Sequence, residues 1–189
     1  MSNKCQMVVF SNKAYNAIIR ESFDKDPVET GGILLGHILD NGVWIVMEVL
    51  PPGIKCIFER AYFEYDDAFV NYLAQSVANQ YKIPLELLGL WHRHPGSLNT
   101  FSMDDNNTNT EYAKAVGNGA ISFLLNFVPG AELTCYYLDQ NGTKAYYKPK
   151  VFIGDKHFEG TNFLDIASEK TLLARKNQMK RELNESAAI

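Results

Sequence analysis

The sequence predicts an α/β fold: a mixed central β-sheet flanked by helices. Three observations carry this. Short aliphatic runs alternate along the chain with amphipathic segments of helical period. Two Asn-Gly pairs, Asn41-Gly42 and Asn141-Gly142, each lie between such runs and signal tight antiparallel hairpins. No internal repeat or low-complexity tract breaks the pattern. Antiparallel hairpins among interleaved helices argue for a mixed sheet, α/β or α+β, rather than a purely doubly wound one.

The elements follow in order. Met7 to Phe10 is a short apolar strand. Ser11 can cap a helix running to about Phe23, with Ala14, Ala17 and Ile18 on one face. Glu29-Thr30-Gly31-Gly32 leads into a strand from Ile33 to Ile38, and Asn41-Gly42 turns it into a partner strand, Val43 to Leu50. Pro51-Pro52-Gly53 ends that strand. Residues 54–65 are aromatic and mixed, with no assignable period. Asp66/Asp67 to Tyr81 reads as an amphipathic helix through Phe69, Leu73 and Val77. A strand from Leu85 to His94 is followed by a loop opened by Pro95-Gly96-Ser97 and a helix from about Met103 to Val116. Strands Ala120–Phe127 and Leu133–Leu138 come next, and the second hairpin turn leads into Lys144–Lys148. Asn162 is placed to cap a last helix, about Phe163 to Asn184, with an apolar side (Leu164, Leu172, Leu183) and a basic one (Lys170, Arg175, Lys180). Such a helix packs on its own domain, forms a dimer contact or binds a partner. The division expected is a main domain over residues 1–155 and a C-terminal helical extension over 156–189.

Bulk properties exclude several classes. The 189 residues suffice for one domain with a real core but not comfortably for two. The formal charge of −4 and pI of about 5.6 argue against a general nucleic-acid binder. No apolar run reaches the roughly 18–20 residues of a membrane helix, and the stretch MSNKCQMVVFSNK lacks the h-region of a signal peptide. Cys5, Cys56 and Cys135 are odd in number and widely spaced, which suits a reducing, cytoplasmic setting and gives no disulfide framework.

Chemistry concentrates in one stretch: His92-Arg93-His94, then Ser102 and Asp105. Residues i and i+2 of a strand share a face, so His92 and His94 project together, continuing the line of Leu88 and Leu90. Gly89, Trp91 and Arg93 point the other way. Two imidazoles on one face at a strand's C-terminal end suit a metal better than a core. Ser102 and Asp105 fit a capping box, with Ser102 as N-cap and Asp105 three residues on. That reading needs no chemistry, yet it is compatible with an Asp105 carboxylate aimed at the imidazoles. Two His and one Asp leave a fourth tetrahedral position open, as in catalytic zinc sites. His37 and His157 have no partners at ligand spacing and read as structural.

The pattern His92-x-His94-x7-Ser102-x-x-Asp105 resembles the signature of the JAMM (JAB/MPN) metalloproteases. Trp91-His92-Arg93-His94-Pro95 resembles that family's run around its histidines, and Glu29-Thr30-Gly31-Gly32-Ile33-Leu34-Leu35-Gly36 resembles its upstream segment. The similarity spans about residues 6–150. It implies a JAB/MPN sandwich, akin to the cytidine deaminases in fold. It makes His92, His94 and Asp105 the ligands of one zinc ion, Glu29 the general acid/base, and Ser102 a stabiliser of the tetrahedral intermediate. Glu29 lies 63 residues before His92, and no spacing rule links them. Arg93 stands where the family often has Ser or Thr.

The resemblance further implies hydrolysis of the amide or isopeptide bond after the C-terminal glycine of a ubiquitin or ubiquitin-like protein. A compact chain of this type resembles bacterial stand-alone members, which act with conjugation enzymes, some in antiphage defence, or process sulfur-carrier proteins. The run Gly117-Asn118-Gly119 leaves no room for a substrate-binding insert. The 51–65 segment, with Phe58, Tyr62, Phe63 and Tyr65, is where one could sit. The expected partner is the ubiquitin-like substrate, with no nucleic acid and no membrane. Three other readings are a non-catalytic MPN-type scaffold, a zinc deaminase and a metal-free binding module. The first would lack the ligands; the second would need H-x-E and P-C-x-x-C, which are absent. The third would bind no zinc.

Overall fold

A computed structural model describes residues 4–39, 41–58, 63–81, 83–96, 98–128, 130–141 and 146–154. The elements in chain order are β1 (Met7–Phe10), α1 (Asn12–Asp24), β2 (Thr30–Ile38), β3 (Val43–Leu50), β4 (Ile57–Phe58) and β5 (Phe63–Glu64). They continue with α2 (Asp67–Ala78), β6 (Glu86–Arg93), α3 (Met103–Ala115), β7 (Ala120–Asn126), β8 (Glu132–Leu138) and β9 (Lys150–Ile153). Among the described residues seven strands form one sheet in the order β8-β7-β6-β2-β3-β1-β9, and β4 pairs with β5 apart from it. The β8–β7, β6–β2 and β2–β3 pairs are antiparallel; β7–β6, β3–β1 and β1–β9 are parallel. The expected mixed α/β sheet is what forms.

Both faces of the sheet are covered, so its central strands are largely apolar. On one face α1 buries Ala14 and Ile18 against Phe10, Trp44, Trp91 and Phe123. On the other, Val70 of α2 packs with Ile33, Leu35, Ile45 and Leu85, joined by Phe69, Leu73 and Val77. Helix α3 sits on this second side over β7, with Ala113 against Ala120 and Leu138. The expected cap of α1 forms, the Ser11 hydroxyl accepting from the Ala14 amide, and Asp66 caps α2 by accepting from the Phe69 amide. Ala17 is only half-buried; Ser22 takes a buried place on α1 instead.

Three expectations change. Strand β2 begins at Thr30, three residues before the expected Ile33, because Thr30, Gly31 and Gly32 already pair with β6. Strand β9 was not foreseen: four residues of weak alternation form a strand because β1 offers them a parallel edge. The alternation along β6 also breaks. Leu34 pairs with Gly89 and the next residue, Leu35, with Leu87, so Leu88 is an extra residue, a β-bulge. Leu88 therefore joins the Trp91 cluster rather than continuing the histidine face. Of the second hairpin, residues 142–145 lie outside the described set, but Tyr137 and Tyr147 form the antiparallel bridge it would require. The expected C-terminal helix, Asn162, Tyr62 and His157 also lie outside the described residues.

The bulge strand depends on Gly89. Its φ is +144°, and a Cβ there would lie 1.9 Å from the Ile121 carbonyl oxygen on β7. Gly89→Ala is expected to destabilise the fold by about 3 kcal/mol, from backbone strain and steric overlap together. Chemical denaturation checks this through a lowered unfolding midpoint at unchanged m-value.

Candidate metal centre

The centre forms where β6, β2 and the start of α3 meet. In the antiparallel β2–β6 ladder Thr30 pairs with Arg93 and Gly31 with His92. Continuing that register by one residue sets Glu29 opposite His94. Directly opposed residues of an antiparallel pair share a face, so Glu29 belongs on the histidine side, and Thr30 on the Arg93 side. Thr30 is buried there, its hydroxyl donating to Glu21 of α1 at 3.3 Å. The 63-position separation of Glu29 and His92 thus closes within the same end of one ladder.

The third group comes from α3. Ser102 is its N-cap: its Oγ accepts from the Asp105 amide at 3.1 Å, and the Asp105 carboxylate accepts from the Ser102 amide at 2.7 Å. This capping box holds the Asp105 side chain back over the helix start, toward the strand end. Its Oδ1 lies 3.5 Å from His92 Nε2 and its Oδ2 lies 3.3 Å from His94 Nε2; the two imidazole Nε2 atoms are 3.0 Å apart. Both histidines are buried, and Asp105 is partly so.

These distances bear on which ion fits. Zinc bonds of about 2.0–2.1 Å in a tetrahedron put neighbouring donor atoms about 3.3 Å apart. The observed separations of 3.0, 3.3 and 3.5 Å bracket that edge length. Two imidazole nitrogens facing each other at 3.0 Å need a positive centre between their lone pairs, a proton or a metal. Burial and the neighbouring His94 push His92 down to about 4 despite the Asp105 charge, which keeps it in the neutral, ligating form. Burial raises Asp105, but contacts with His94, His92 and Ser102 outweigh this and hold it well below the usual carboxylate range. Two imidazoles and one carboxylate suit zinc. His92, His94 and Asp105 could therefore hold a metal ion.

Glu29 is half-buried at the rim. Loss of hydration, and then the Asp105 charge, raise its carboxyl above the ordinary value, against the opposing pull of His94 and Arg93. Its carboxylate forms no hydrogen bond or ion pair among the described residues, so it is free to take up and release a proton. The Ser102 hydroxyl uses an oxygen lone pair in the cap, so its O–H can still donate outward. His37, by contrast, is buried and lowered by desolvation, away from this centre, as a structural residue would be.

Two features escaped the sequence. Phe101 lies 5.5 Å from the His92 ring and stacks into a cluster with Tyr136 and Tyr146. Tyr146 hydrogen-bonds Asn106 and Asn109 of α3, and a cavity of about 470 Å³ opens beside it, lined also by Met103, Asn107, Thr110 and Leu138. No local spacing joins Phe101 to residues in the hairpin. The second is Arg93, which is buried rather than merely turned away. It donates to the Val28 carbonyl at 2.7 Å, pairs with Asp26 and lies over the Phe127 ring. The available signal was a cation in an otherwise apolar strand, which requires partners when buried. Tyr65, at the end of the segment where a substrate-facing insert could sit, packs against the second core cluster.

Comparisons with known proteins bear on the family and the fold. Among curated proteins none matches the chain significantly. The solution structure of protein DSY2949 from Desulfitobacterium hafniense is similar in fold, with a TM-score of 0.60 at 13% identity, covering 78% of this chain and 92% of that one. Residues 11–132 match the family described as prokaryotic homologs of the JAB domain, a stretch that includes Glu29, both histidines, Ser102 and Asp105. The chain belongs to the prokaryotic JAB-domain family.

Proposed function

We propose that the protein is a zinc-dependent peptidase that hydrolyses the amide or isopeptide bond after the C-terminal glycine of a ubiquitin-like protein. The observation that carries the reading is the convergence of three donor atoms at tetrahedral spacing, with an unbonded carboxylate one ladder step away. His92, His94 and Asp105 would hold the ion. Zinc supplies Lewis acidity, easing ionisation of water near neutral pH and polarising a carbonyl. Glu29 takes the proton from the attacking water and returns it to the leaving amine; its raised carboxyl suits both directions of transfer. Ser102 donates its hydroxyl to the oxygen on which charge develops. A Gly-terminated tail fits because small residues let an extended backbone come close to a recessed site, as an added strand does. The Phe101–Tyr136–Tyr146 cluster offers an aromatic wall for it, next to a cavity of mixed polarity beside α3. We further propose deconjugation or precursor processing in a bacterial ubiquitin-like system in the cytoplasm. Processing of a sulfur carrier uses the same bond chemistry.

Cleavage of fusions between candidate ubiquitin-like proteins and a reporter tests the activity. Glu29→Gln should keep its zinc yet lose about 10²–10⁴-fold in kcat. Ser102→Ala should lose about 10²–10³-fold in kcat and, separately, about 1 kcal/mol of stability through the cap. Chelators should abolish cleavage, whereas thiol alkylation should spare it. Cys5 and Cys135 are buried, and desolvation raises all three thiols, Cys5 to about 12. Thiol-sensitive, chelator-resistant cleavage would contradict the mechanism.

Metal binding has its own readout. Metal analysis should find one zinc per chain, lost in His92→Ala, His94→Ala and Asp105→Ala. In the zinc-free protein His92 titrates lower than in the unfolded chain, so the unfolded state binds more protons between pH 6.5 and about 4. Stability should therefore be full above pH 6.5 and fall as pH drops through that window. Urea unfolding at a series of pH values checks this, and His92→Ala should flatten the dependence.

A further inference from the structure

We infer that Arg93 is a positioning residue that holds Glu29 over the metal centre by gripping the backbone on both sides of it. The inference rests on the peptidase reading for Glu29's role, but its structural half stands alone. Glu29 has no side-chain tether of its own among the described residues. Its placement is therefore set by its neighbours in sequence. On one side, Thr30 is paired with the Arg93 backbone in the β2–β6 ladder. On the other, the Val28 carbonyl accepts from the Arg93 guanidinium at 2.7 Å. One residue thus fixes positions 28 and 30 and suspends 29 between them.

The second arm of the guanidinium reinforces this. It pairs with Asp26, a half-exposed carboxylate in the segment joining α1 to β2. The Val28 amide closes a turn on the Lys25 carbonyl at 2.9 Å, so the segment gripped by Arg93 is compact rather than extended. Arg93 itself is only 3% exposed and rests over Phe127 at 5.4 Å. A buried, planar fork with two acceptors at fixed angles is a rigid tether; a lysine reaches one acceptor at a time. The histidines on either side of Arg93 face the opposite side of the sheet and hold the ion. The same three-residue run therefore places the metal with its outer members and the proton carrier with its central one. An error of about 1 Å in a reacting group costs on the order of 10²-fold in rate, which makes this tether consequential.

The test uses the zinc-loaded full chain. Arg93→Lys and Asp26→Ala are made singly, Asp26 being a surface position whose loss leaves the core intact, and Asp26→Asn is the conservative control. Hydrogen exchange of the amides at 28–30 is measured beside zinc content and cleavage kinetics. The tether predicts faster exchange in Arg93→Lys and Asp26→Ala, restoration toward wild type in Asp26→Asn, and full zinc loading throughout. It predicts that Arg93→Lys lowers kcat by about 10²-fold with little change in KM. In a Glu29→Gln background the same substitution should cost almost nothing more, because the group it positions is already gone. Unchanged exchange in both variants, loss of zinc, or additive losses in the double variant would each overturn it. If the wild-type chain cleaves no ubiquitin-like fusion, the peptidase reading fails, and hydrogen exchange still decides whether Arg93 holds the segment.

Discussion

The antiparallel ladder between β2 and β6 is the constraint on which the site depends. It spans Thr30 to Gly36 on one strand and Glu86 to Arg93 on the other. A ladder fixes not only which residues are neighbours but which face each side chain takes, since a slip of one residue would invert every position. With Thr30 opposite Arg93, Glu29 falls beside His94 and on the metal side. A one-residue slip would turn Glu29 toward α1, away from the two imidazoles. The glycines secure this register. A Cβ on Gly32 would lie 2.0 Å from the Leu50 carbonyl oxygen on β3, so no larger residue fits between the neighbouring strands.

The centre is then a problem of buried polarity solved on two faces at once. Three consecutive residues at the end of β6 are polar and almost wholly buried. Burying such groups is costly unless each finds a partner. The imidazoles find each other and Asp105, and a metal held between them would remove the repulsion of facing lone pairs. The guanidinium finds a carbonyl and a carboxylate on the opposite side of the sheet. The capping box of α3 does two things at once, because the bond that orders the helix start also orients the Asp105 carboxylate toward the imidazoles.

Much of this was legible in the chain because it is local. Asn41-Gly42, Ser11 and the Ser102/Asp105 box each act within a few residues, and each forms as read. The grouping of His92 with His94 follows from strand alternation, and the bulge at Leu88 lies far enough back to leave it undisturbed. What was hidden is what a sheet decides at long range. Glu29 could be linked to the histidines only through family resemblance, since the ladder joining them is a pairing between distant segments. β9 exists because β1 has a free edge, which its own four residues do not announce. Arg93 looked incidental because its partners, Asp26 and Val28, belong to the connection before β2.

The central claim is that two imidazoles and one carboxylate from these positions bind zinc, with Glu29 left uncoordinated. X-ray absorption at the zinc edge on the loaded protein tests it directly. The account predicts a first shell of nitrogen and oxygen at about 2.0–2.1 Å, with the outer-shell scattering of two imidazoles, unchanged in Glu29→Gln. A sulfur shell near 2.3 Å, scattering from fewer than two imidazoles, or a shell altered by Glu29→Gln would contradict it.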